Sequence, residues 1–287
     1  MTKDLTLIYL NYNTPDWTSL ALSSLQTHYL KKTKLKVEVI VVDNASTDGS
    51  ADLIEQQFSW VKLIRAEENG GFAVGNNLAL KQITSRYVML INSDVEATKD
   101  TNLDELVYYM DAHPEVSVVT PKLTLASGKL DPASHRGEPT PWASLTYFSG
   151  LAKLFPSSPL LARYHLSFKD LRHIHEIDAC SGAAMLVRTS AMQKVGVLDE
   201  RFFMYAEDLD WCKRFRDEGG TVMFYPNVHM IHHKYKSGRG QKGKVKSTTS
   251  KHFYQTMLQY YDKHYWKTYP SIVRLGIQLF VWYKTRT

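Results

Sequence analysis

Three carboxylates stand among aromatic and aliphatic side chains in the segment FFMYAEDLDWCKRF, residues 202–215. Apolar residues recur at helical spacing from residue 209 onward, so Glu207, Asp208 and Asp210 fall in the first turn of a predicted helix. The helix dipole favours negative charge in that turn, which is a sufficient structural reason for one or two of them, above all Asp210. A carboxylate beside aromatic rings also tends to be desolvated, which raises its proton affinity and prepares a general base for a hydroxyl nucleophile.

Two other polar segments could bind a cation or an anion. Asp94 follows Asn92 directly after an apolar run, and these oxygen-rich side chains suit Mg²⁺ or Mn²⁺ holding a diphosphate. The segment IHHKYKSG (231–238) supplies His232 and His233, either of which could ligate a divalent ion, and lysines that could neutralise a diphosphate. Neighbouring histidines are also common in solvated loops, so a purely structural role for them remains an alternative.

The elements that must position these residues alternate between short β-branched runs and longer helical patterns. That alternation implies a parallel sheet with right-handed crossovers. VEVIVVD (37–43) is nearly all apolar, as expected of a strand buried on both faces. The stretch 125–177 is irregular and rich in proline and aromatic residues, and we interpret it as a long excursion from one domain. The predicted strands cover 5–11, 37–43, 61–66, 87–92, 116–123, 182–188 and 221–226.

Polar residues follow four of the predicted strands at their carboxyl ends. In an open parallel sheet, ligands bind beyond those ends, so the residues would face one crevice of the kind that a nucleotide needs. Asx residues and glycines also end strands and cap helices for structural reasons alone, which explains any single instance. The residues concerned are Asn11 and Asn13, Asp43 and Asn44, Asn69, Gly70 and Gly71, and Asn92, Ser93 and Asp94.

Composition narrows the class of protein. With 287 residues, 44% hydrophobic and 22% charged, the chain can bury a large core and is not disordered. The formal charge of +6 suggests anionic partners such as phosphates or an acidic membrane surface. Cys180 and Cys212 form no CxxC pair, which argues against a zinc ribbon or disulfide scaffold and fits a reducing cytosol. The N-terminus resembles no signal peptide, so we expect an intracellular protein.

The end of the sequence combines basic and apolar residues. A run of lysines and an arginine follows His233, and SIVRLGIQLFVWYK (271–284) is too short to span a membrane but suited to its interface. Together they favour peripheral contact of the C-terminal region with an anionic leaflet, which predicts a cytoplasmic protein at the cytosolic face of the cell membrane. Packing of this segment on the domain, or a homodimer contact, are the alternatives.

Taken in order, six motifs resemble those of inverting family-2 glycosyltransferases with the GT-A fold, and within them the rhamnosyltransferase-like branch that builds bacterial surface polysaccharides. The resemblance covers roughly residues 5–240. The motifs are VDNASTDGS (42–50), NGGFAVGNN (69–77), NSD (92–94), SGAAMLVR (181–188), FFMYAEDLDWCKR (202–214) and HHKYKSG (232–238).

The resemblance implies an α/β fold with a mostly parallel central sheet flanked by helices, followed by a helical C-terminal extension. Residues 1–233 would form the nucleotide-sugar-binding and catalytic domain, with 125–177 as an excursion on the acceptor side. Residues 234–287 would form a basic loop and the C-terminal helical extension.

The resemblance also assigns roles to the donor-binding residues. Asp43 and Asn44 would contact the nucleoside of a sugar nucleotide. Asp94 stands at the family's main metal-coordinating carboxylate, while Asn92 replaces the first acid of its Asp-X-Asp motif, which would lower metal affinity. The base and sugar side of the donor would be lined by Asn69, Gly70, Gly71 and Asn76.

On the catalytic side, Asp208 matches the family's base and Glu207 would orient the acceptor. His232 fits the histidine on the metal or diphosphate side, spaced from Ser237 as that motif expects, and His233 is the second choice.

These roles give a main hypothesis and two rivals. The main hypothesis is a metal-assisted single displacement that transfers L-rhamnose from dTDP-rhamnose to a glycan or lipid-linked acceptor in bacterial cell-surface polysaccharide biosynthesis, with Mg²⁺ or Mn²⁺ as cofactor. One rival keeps the scaffold and uses a UDP-hexose or UDP-N-acetylhexosamine donor. The other is a sugar-nucleotide-binding or partner protein without turnover, which the acids at 94 and 208 disfavour. Nucleic acid is not expected as a partner, because the basic residues cluster after the predicted core.

Overall fold

Strands and helices alternate through the first half of the chain, as the sequence pattern predicts. The computed structural model describes residues 3–234 and 244–286, with side chains for 3–234 and 253–286. The strands are β1 (Leu5–Asn11), β2 (Val37–Asp43), β3 (Lys62–Arg65), β4 (Tyr87–Asn92), β5 (Val95–Ala97), β6 (Val116–Leu125), β7 (His175–Ile177), β8 (Ala184–Arg188) and β9 (Thr221–His232). The helices are α1 (Pro15–Leu25), α2 (Ser50–Gln57), α3 (Gly71–Leu80), α4 (Leu103–Ala112), α5 (Pro141–Phe148), α6 (Leu151–Leu154), α7 (Thr189–Val195), α8 (Glu207–Asp217), α9 (Lys244–His264) and α10 (Ser271–Arg286).

The described strands form one mixed, mostly parallel sheet in the order β3-β2-β1-β4-β8-β6-β9-β5, with β7 also paired to β9. Strands β3, β2, β1 and β4 run parallel, and so do β6 and β9. The expected run of parallel strands is interrupted at β8, which is antiparallel to both of its neighbours. An apolar run fixes that a strand is buried on both faces but leaves its direction open, so the sequence pattern could not predict this reversal.

Hydrophobic side chains cover the sheet on both faces, and helices pack on each. One face carries α1 and α4, whose Leu22 and Leu106 are fully buried. The other carries α3 and α8, which bury Ala73 and Trp211. The completely buried end of β2, residues 39–43, accounts for the near absence of polar residues in that strand. The sheet therefore presents its strand ends, rather than a face, to ligands.

The excursion contains more regular structure than the sequence pattern indicates, and the C-terminal helices confirm the expected helical extension. The excursion includes α5, α6 and β7, and β7 pairs with β9. Tyr260 and Tyr261 of α9, and Tyr265 directly after it, are buried in the same core as α8. Residues 235–243, which carry Ser237 and much of the basic run, lie outside the described residues. No helix in the described part of the chain is both long enough and apolar enough to cross a membrane.

Candidate active site

A cleft of about 550 Å³ opens at the carboxyl ends of β1 and β4 and extends to the N-terminus of α8. Asp94 and Asp208, which are more than a hundred positions apart in the sequence, both line it. Many of the residues singled out from the sequence meet there. They are Asn44, Asn69, Gly71, Asn92, Ser93, Asp94, Glu207, Asp208 and His232.

The two residues before α8 have an unusual backbone conformation, and the first turn of the helix lines the cleft. Tyr205 and Ala206, which precede the helix, have φ of 72° and 66°, in the left-handed region that residues other than glycine rarely adopt. Each such residue costs on the order of 1–2 kcal/mol. Strain of this kind persists where the surroundings enforce it and clusters at functional sites. Here it precedes Glu207 and Asp208, the two acids of α8 that line the cleft.

Asp208 is held by an arginine of the excursion. Nη2 of Arg136 donates to Oδ2 of Asp208 at 2.6 Å and to the carbonyl oxygen of Cys180 at 2.9 Å. The backbone of Arg136 is fixed as well, by paired hydrogen bonds with Ala179. Both side chains of the pair are about nine-tenths buried. The opposite charge of Asp208 raises the pKa of Arg136, although burial alone would lower it, so the guanidinium stays charged. Asp208 therefore has a fixed position and a permanent counter-charge.

Glu207 differs from its neighbour in having no counter-charge of its own. It is 6% exposed, and its Oε2 has no hydrogen-bond partner among the described residues. Burial, and after it the negative charge of Asp208, raises the pKa of Glu207 to about 8. At neutral pH Glu207 is therefore mostly protonated, and its hydroxyl can donate a hydrogen bond to an oxygen in the cleft.

This raised pKa predicts how stability changes with pH. The folded protein retains a proton on Glu207 up to about pH 8, whereas the ordinary pKa of a glutamate is 4.5. Between these values the unfolded chain binds fewer protons, so the free energy of unfolding falls as pH rises. Glu207→Gln lacks this dependence. We expect its stability relative to wild type to improve by on the order of 3 kcal/mol between pH 5 and pH 8, measured by urea unfolding at both pH values.

Glu218→Gln is the matched control, because Glu218 is exposed at the other end of α8. Its stability should follow that of wild type at every pH. Identical pH dependence in wild type and Glu207→Gln would contradict the buried, protonated state of Glu207.

The pairing of β5 with β9 brings Asp94 to His232. Val95 pairs with His232 in this antiparallel ladder, which places the residue before β5 beside the end of β9. Nε2 of His232 lies 3.2 Å from Oδ1 of Asp94, and Nδ1 lies 2.7 Å from Oδ2 of Asp131. These two carboxylates raise the pKa of His232 to about 9, although burial alone would lower it. The imidazole is therefore positively charged at neutral pH, and a metal ion would bind at Nε2 in place of the proton there.

Asp94 and His232 are suited to hold a divalent ion, with help from other donors. A carboxylate that accepts from the second nitrogen of an imidazole fixes the tautomer in which the first can ligate a metal, and Asp131 is placed to do this. Among the side chains of residues 3–234 and 253–286, no group of three or more His, Cys, Asp or Glu could hold a metal. A bound ion would therefore take most of its ligands from substrate oxygens and water.

The next two residues of the chain point in different directions. Nε2 of His233 contacts Oε2 of Glu96 at 2.7 Å, its ring lies 4.9 Å from that of Trp17, and it does not line the cleft. Lys234 does line the cleft, with Nζ 2.8 Å from Oδ1 of Asp131. Of the two histidines, His232 is thus the one placed to meet a ligand together with Asp94.

Asn44 fixes the glycine loop on its side of the cleft. Its Nδ2 donates to Oδ1 of Asn69 at 2.8 Å and to the carbonyl oxygen of Gly71 at 3.2 Å. Gly71 has φ of 80°, and a Cβ there would lie 2.2 Å from the carbonyl oxygen of Phe203. Only glycine allows this close approach of the loop to the segment that leads into α8.

Other predicted nucleotide-binding residues lie behind the cleft lining. Nδ2 of Asn11 donates to Oδ1 of Asp43 at 2.6 Å, and Oδ2 of Asp43 accepts from the backbone N–H of Ser46 at 3.0 Å. These bonds hold the loops after β1 and β2 together, and contact with a nucleotide stays a prediction for these residues. The residues outside the lining are Asn11, Asn13, Asp43, Gly70 and Asn76.

The excursion supplies site residues that the sequence pattern does not identify. Arg136 and Tyr164 line the cleft beside Asp208, and Asp131 supports His232. The segments joining these residues have no regular periodicity, so the sequence carries only a weak signal, namely isolated charged residues in an apolar, proline-rich stretch. The aromatic side of the cleft comes from α5 and α9, through Tyr147, Phe148, Phe253, Tyr260 and Tyr261.

Comparison with known proteins gives a family match. The family model described as glycosyl transferase family 2 matches residues 6–194. Among curated proteins, the chain is 26% identical over 219 residues to N-acetylglucosaminyl-diphospho-decaprenol L-rhamnosyltransferase of Mycobacterium tuberculosis, covering 72% of this chain and 70% of that protein. It is 24% identical over 236 residues to low-salt glycan biosynthesis hexosyltransferase Agl10 of Haloferax volcanii, covering 81% and 68%.

Solved structures with the same fold include two glycosyltransferases. Mannosyltransferase PcManGT from Pyrobaculum calidifontis, in complex with GDP-Man and Mn²⁺, has a TM-score of 0.61 at 18% identity and covers 98% of this chain and 70% of that chain. S. aureus TarS 1-349 has a TM-score of 0.55 at 19% identity, covering 90% of this chain and 64% of that chain. At these identities the likeness concerns the fold, which confirms the GT-A architecture expected from the sequence.

Proposed function

Because the chain belongs to glycosyl transferase family 2, we propose that it transfers L-rhamnose from dTDP-rhamnose to a glycan or lipid-linked acceptor of a cell-surface polysaccharide. The observation that carries the proposal is that Asp94 and Asp208 line one cleft, so that a diphosphate and a proton acceptor can meet there. Rhamnose is favoured because the relative of Mycobacterium tuberculosis, 26% identical, is named an L-rhamnosyltransferase.

In this proposal Asp208 is the catalytic base. It accepts the proton of an acceptor hydroxyl while that oxygen forms a bond to the anomeric carbon and the bond from this carbon to the diphosphate oxygen breaks. Arg136 supplies the counter-charge of Asp208 and donates to its Oδ2 at 2.6 Å, which holds the carboxylate in place at the cleft. The protonated Glu207 orients the acceptor by hydrogen bonding. A single displacement of this kind needs one base and inverts the anomeric configuration.

The diphosphate, which is the leaving group, would lie near Asp94. Asp94 and His232 are the residues that would hold a divalent metal, and a bound metal would stabilise the negative charge of the departing diphosphate. Asp131 orients His232 at 2.7 Å, and Lys234 brings a positive charge into the same part of the cleft. Since Asn92 offers no charge, a single carboxylate would face the ion, which predicts modest affinity.

Donor recognition falls to the strand-end residues. Asn44, Asn69 and Gly71 would contact the nucleoside directly, because they line the cleft, while Asn92 and Ser93 would border the diphosphate. Asp43 and Asn11 would act by holding the loop that carries Asn44. Thymine and uracil offer these residues the same hydrogen-bonding groups, so the UDP-sugar donors remain the rival within the same mechanism.

The proposal is tested by a donor panel with linkage analysis of the product. dTDP-rhamnose, UDP-hexoses and UDP-N-acetylhexosamines would be compared, together with calorimetric titration of dTDP and UDP with and without Mn²⁺. Transfer of rhamnose with inversion is the expected result. Turnover of a UDP-sugar alone would replace the donor, and binding of neither nucleotide would favour a partner protein without turnover.

Loss of the Asp94 carboxylate should affect metal-dependent donor binding first. We expect Asp94→Asn to weaken binding of dTDP or UDP in the presence of Mn²⁺ by about 10- to 100-fold, because the carboxylate proposed to ligate the metal is removed. Binding without metal should change little, and calorimetry measures both. Glu96→Gln is the control, since Glu96 lies two residues away and contacts His233 outside the cleft lining. Equal metal-dependent affinity in Asp94→Asn and wild type would remove Asp94 from the metal site.

A further inference from the structure

The outer side of α10 is an apolar face exposed to solvent. Ile272, Leu275, Leu279, Trp282 and Tyr283 lie along one side of the helix and are 74%, 50%, 57%, 53% and 56% exposed. Their spacing of three, four, three and one residues follows the helical repeat, so they form a continuous stripe. The helix packs one apolar side on the protein and exposes a second apolar side to water. A contiguous apolar surface exposed to water commonly marks a site of interaction with a protein or a membrane.

A second exposed apolar surface is formed by the excursion, on and after α5 and α6. Trp142, Leu145, Leu154, Phe155 and Leu160 are between 45% and 72% exposed. Such side chains are ordinarily buried, and scattered single exceptions need no explanation. Five of them within nineteen consecutive residues are not scattered, and they point to a partner for this segment.

The two surfaces adjoin each other and the cleft. The ring of Phe148, at the end of α5, lies 5.0 Å from that of Phe280 in α10, and both contact Tyr254 of α9. Phe148 also lines the cleft, as do the half-exposed Phe203 and Met204. The apolar surface therefore begins at the mouth of the cleft and continues outward over α5, α6 and α10.

The charge of these two segments is uniformly positive. Neither 139–169 nor 263–287 contains an aspartate or glutamate. The guanidinium of Arg286 lies 4.2 Å from the ring centre of Trp282, within the apolar stripe itself. The basic residues are Lys153, Arg163 and Lys169 in the first segment and Lys267, Arg274, Lys284 and Arg286 in the second, whereas Lys263 is paired with Asp199 and Asp210. Exposed tryptophan, tyrosine and leucine with basic residues and no acids match the chemistry of an anionic lipid surface.

We propose that the exposed side of α10 and the segment 142–160 together form a docking face for an anionic lipid bilayer, with α10 lying in its interface. The docking face would hold the mouth of the cleft against the membrane, where a lipid-linked acceptor presents its sugar. That last step rests on the proposed function, whereas binding of the bilayer does not require transfer. No helix in the described residues can span a membrane, so contact is restricted to the interface.

The test is sedimentation of the full-length protein with vesicles of phosphatidylglycerol and phosphatidylcholine, compared with phosphatidylcholine alone. We expect binding to the anionic vesicles that weakens with added salt. Two variants remove one part of the docking face each, Ile272→Glu with Leu279→Glu in α10 and Leu154→Glu in α6. Each should bind the vesicles at least about tenfold more weakly, because a charge replaces an inserted apolar side chain.

Matched controls carry the same added charge outside the docking face. Ser271→Glu with Gln278→Glu alters exposed polar positions at the edge of the α10 stripe, and Ser127→Glu adds the charge at an exposed polar position of the excursion outside 142–160. Both controls should retain most of the binding. Thermal unfolding establishes that every variant is folded. Calorimetric binding of the nucleotide, whose proposed site lies away from the substituted residues, is a second check of the fold.

Absence of vesicle binding by wild type, or equal loss in variants and controls, would overturn the docking face. So would a dimer of wild type, detected by light scattering, that the α10 variant converts to monomer without changing vesicle binding, since a second copy would then cover the stripe. Failure of the donor panel with intact vesicle binding would instead refute the proposed function and leave the docking face standing.

Discussion

Asp208→Asn should reduce kcat by about a thousandfold while leaving the affinity for the donor nucleotide within a few-fold of wild type. Asn has nearly the same shape as Asp and can still accept from Nη2 of Arg136, so the cleft should keep its form. It cannot accept the proton of the acceptor hydroxyl. The separation of transfer from binding is measured by steady-state kinetics together with calorimetric titration of the nucleotide.

Asp217→Asn is the control for this substitution. Asp217 belongs to the same helix, is exposed, and pairs with Lys213 at 2.9 Å on the surface, where such pairs contribute little. Its kcat should remain that of wild type. If Asp208→Asn turned over the donor at a near-normal rate, the proton would have another acceptor, and Glu207 would be the first candidate because of its raised pKa.

Much of the donor side of this site could be predicted from the sequence, and the reason is physical. Donor residues follow strands of a parallel sheet, and the carboxyl ends of such strands meet at one edge whatever the exact register. Asn44, Asn92 and Asp94 could therefore be placed together from their positions after apolar runs. The helix of Glu207 and Asp208 could be predicted from its periodicity, and the structure begins α8 at Glu207.

The acceptor side and the direction of the strands depend on contacts that leave no periodic trace. Arg136 lies in an irregular segment that is held by an isolated antiparallel β-bridge between Arg136 and Ala179. This bridge places the Arg136 side chain beside Asp208. His232 meets Asp94 because the three-residue strand β5 pairs with the end of β9, and a strand of that length has no recognisable pattern. Long-range pairing of this kind is decided by the whole fold, which local sequence does not encode.

The buried ion pair of Arg136 and Asp208 matters more for the proposed chemistry than for stability. Two charges that are about nine-tenths buried have lost most of their hydration, and each is tolerated only because the other is present. A buried ion pair of this kind adds little net stability compared with a neutral pair of similar shape. Its value lies in the chemistry, since it holds a charged carboxylate ready beside an apolar, aromatic cleft. We therefore regard Arg136 as the positioning residue of the proposed base.

Removal of the guanidinium should consequently affect stability and transfer by different routes. We expect Arg136→Met to lower the free energy of unfolding by about 3–5 kcal/mol, because Asp208 is left buried without a counter-charge. Activity should fall by about a hundredfold, because the carboxylate of Asp208 loses the guanidinium that holds it in place at the cleft. Urea unfolding measures the first effect, and steady-state kinetics with kcat and KM determined separately measure the second.

The double variant Arg136→Met with Asp208→Asn separates them. It contains no unpaired charge, so most of the lost stability should return, while transfer should stay as low as in Asp208→Asn. Arg201→Met removes an exposed guanidinium and leaves Asp199 paired with Lys263, so it should cost less than about 1 kcal/mol and leave kcat unchanged. If Arg136→Met kept the kcat of wild type, the arginine would be a structural residue only, and Asp208 would owe its proposed role to its position at the start of α8 alone.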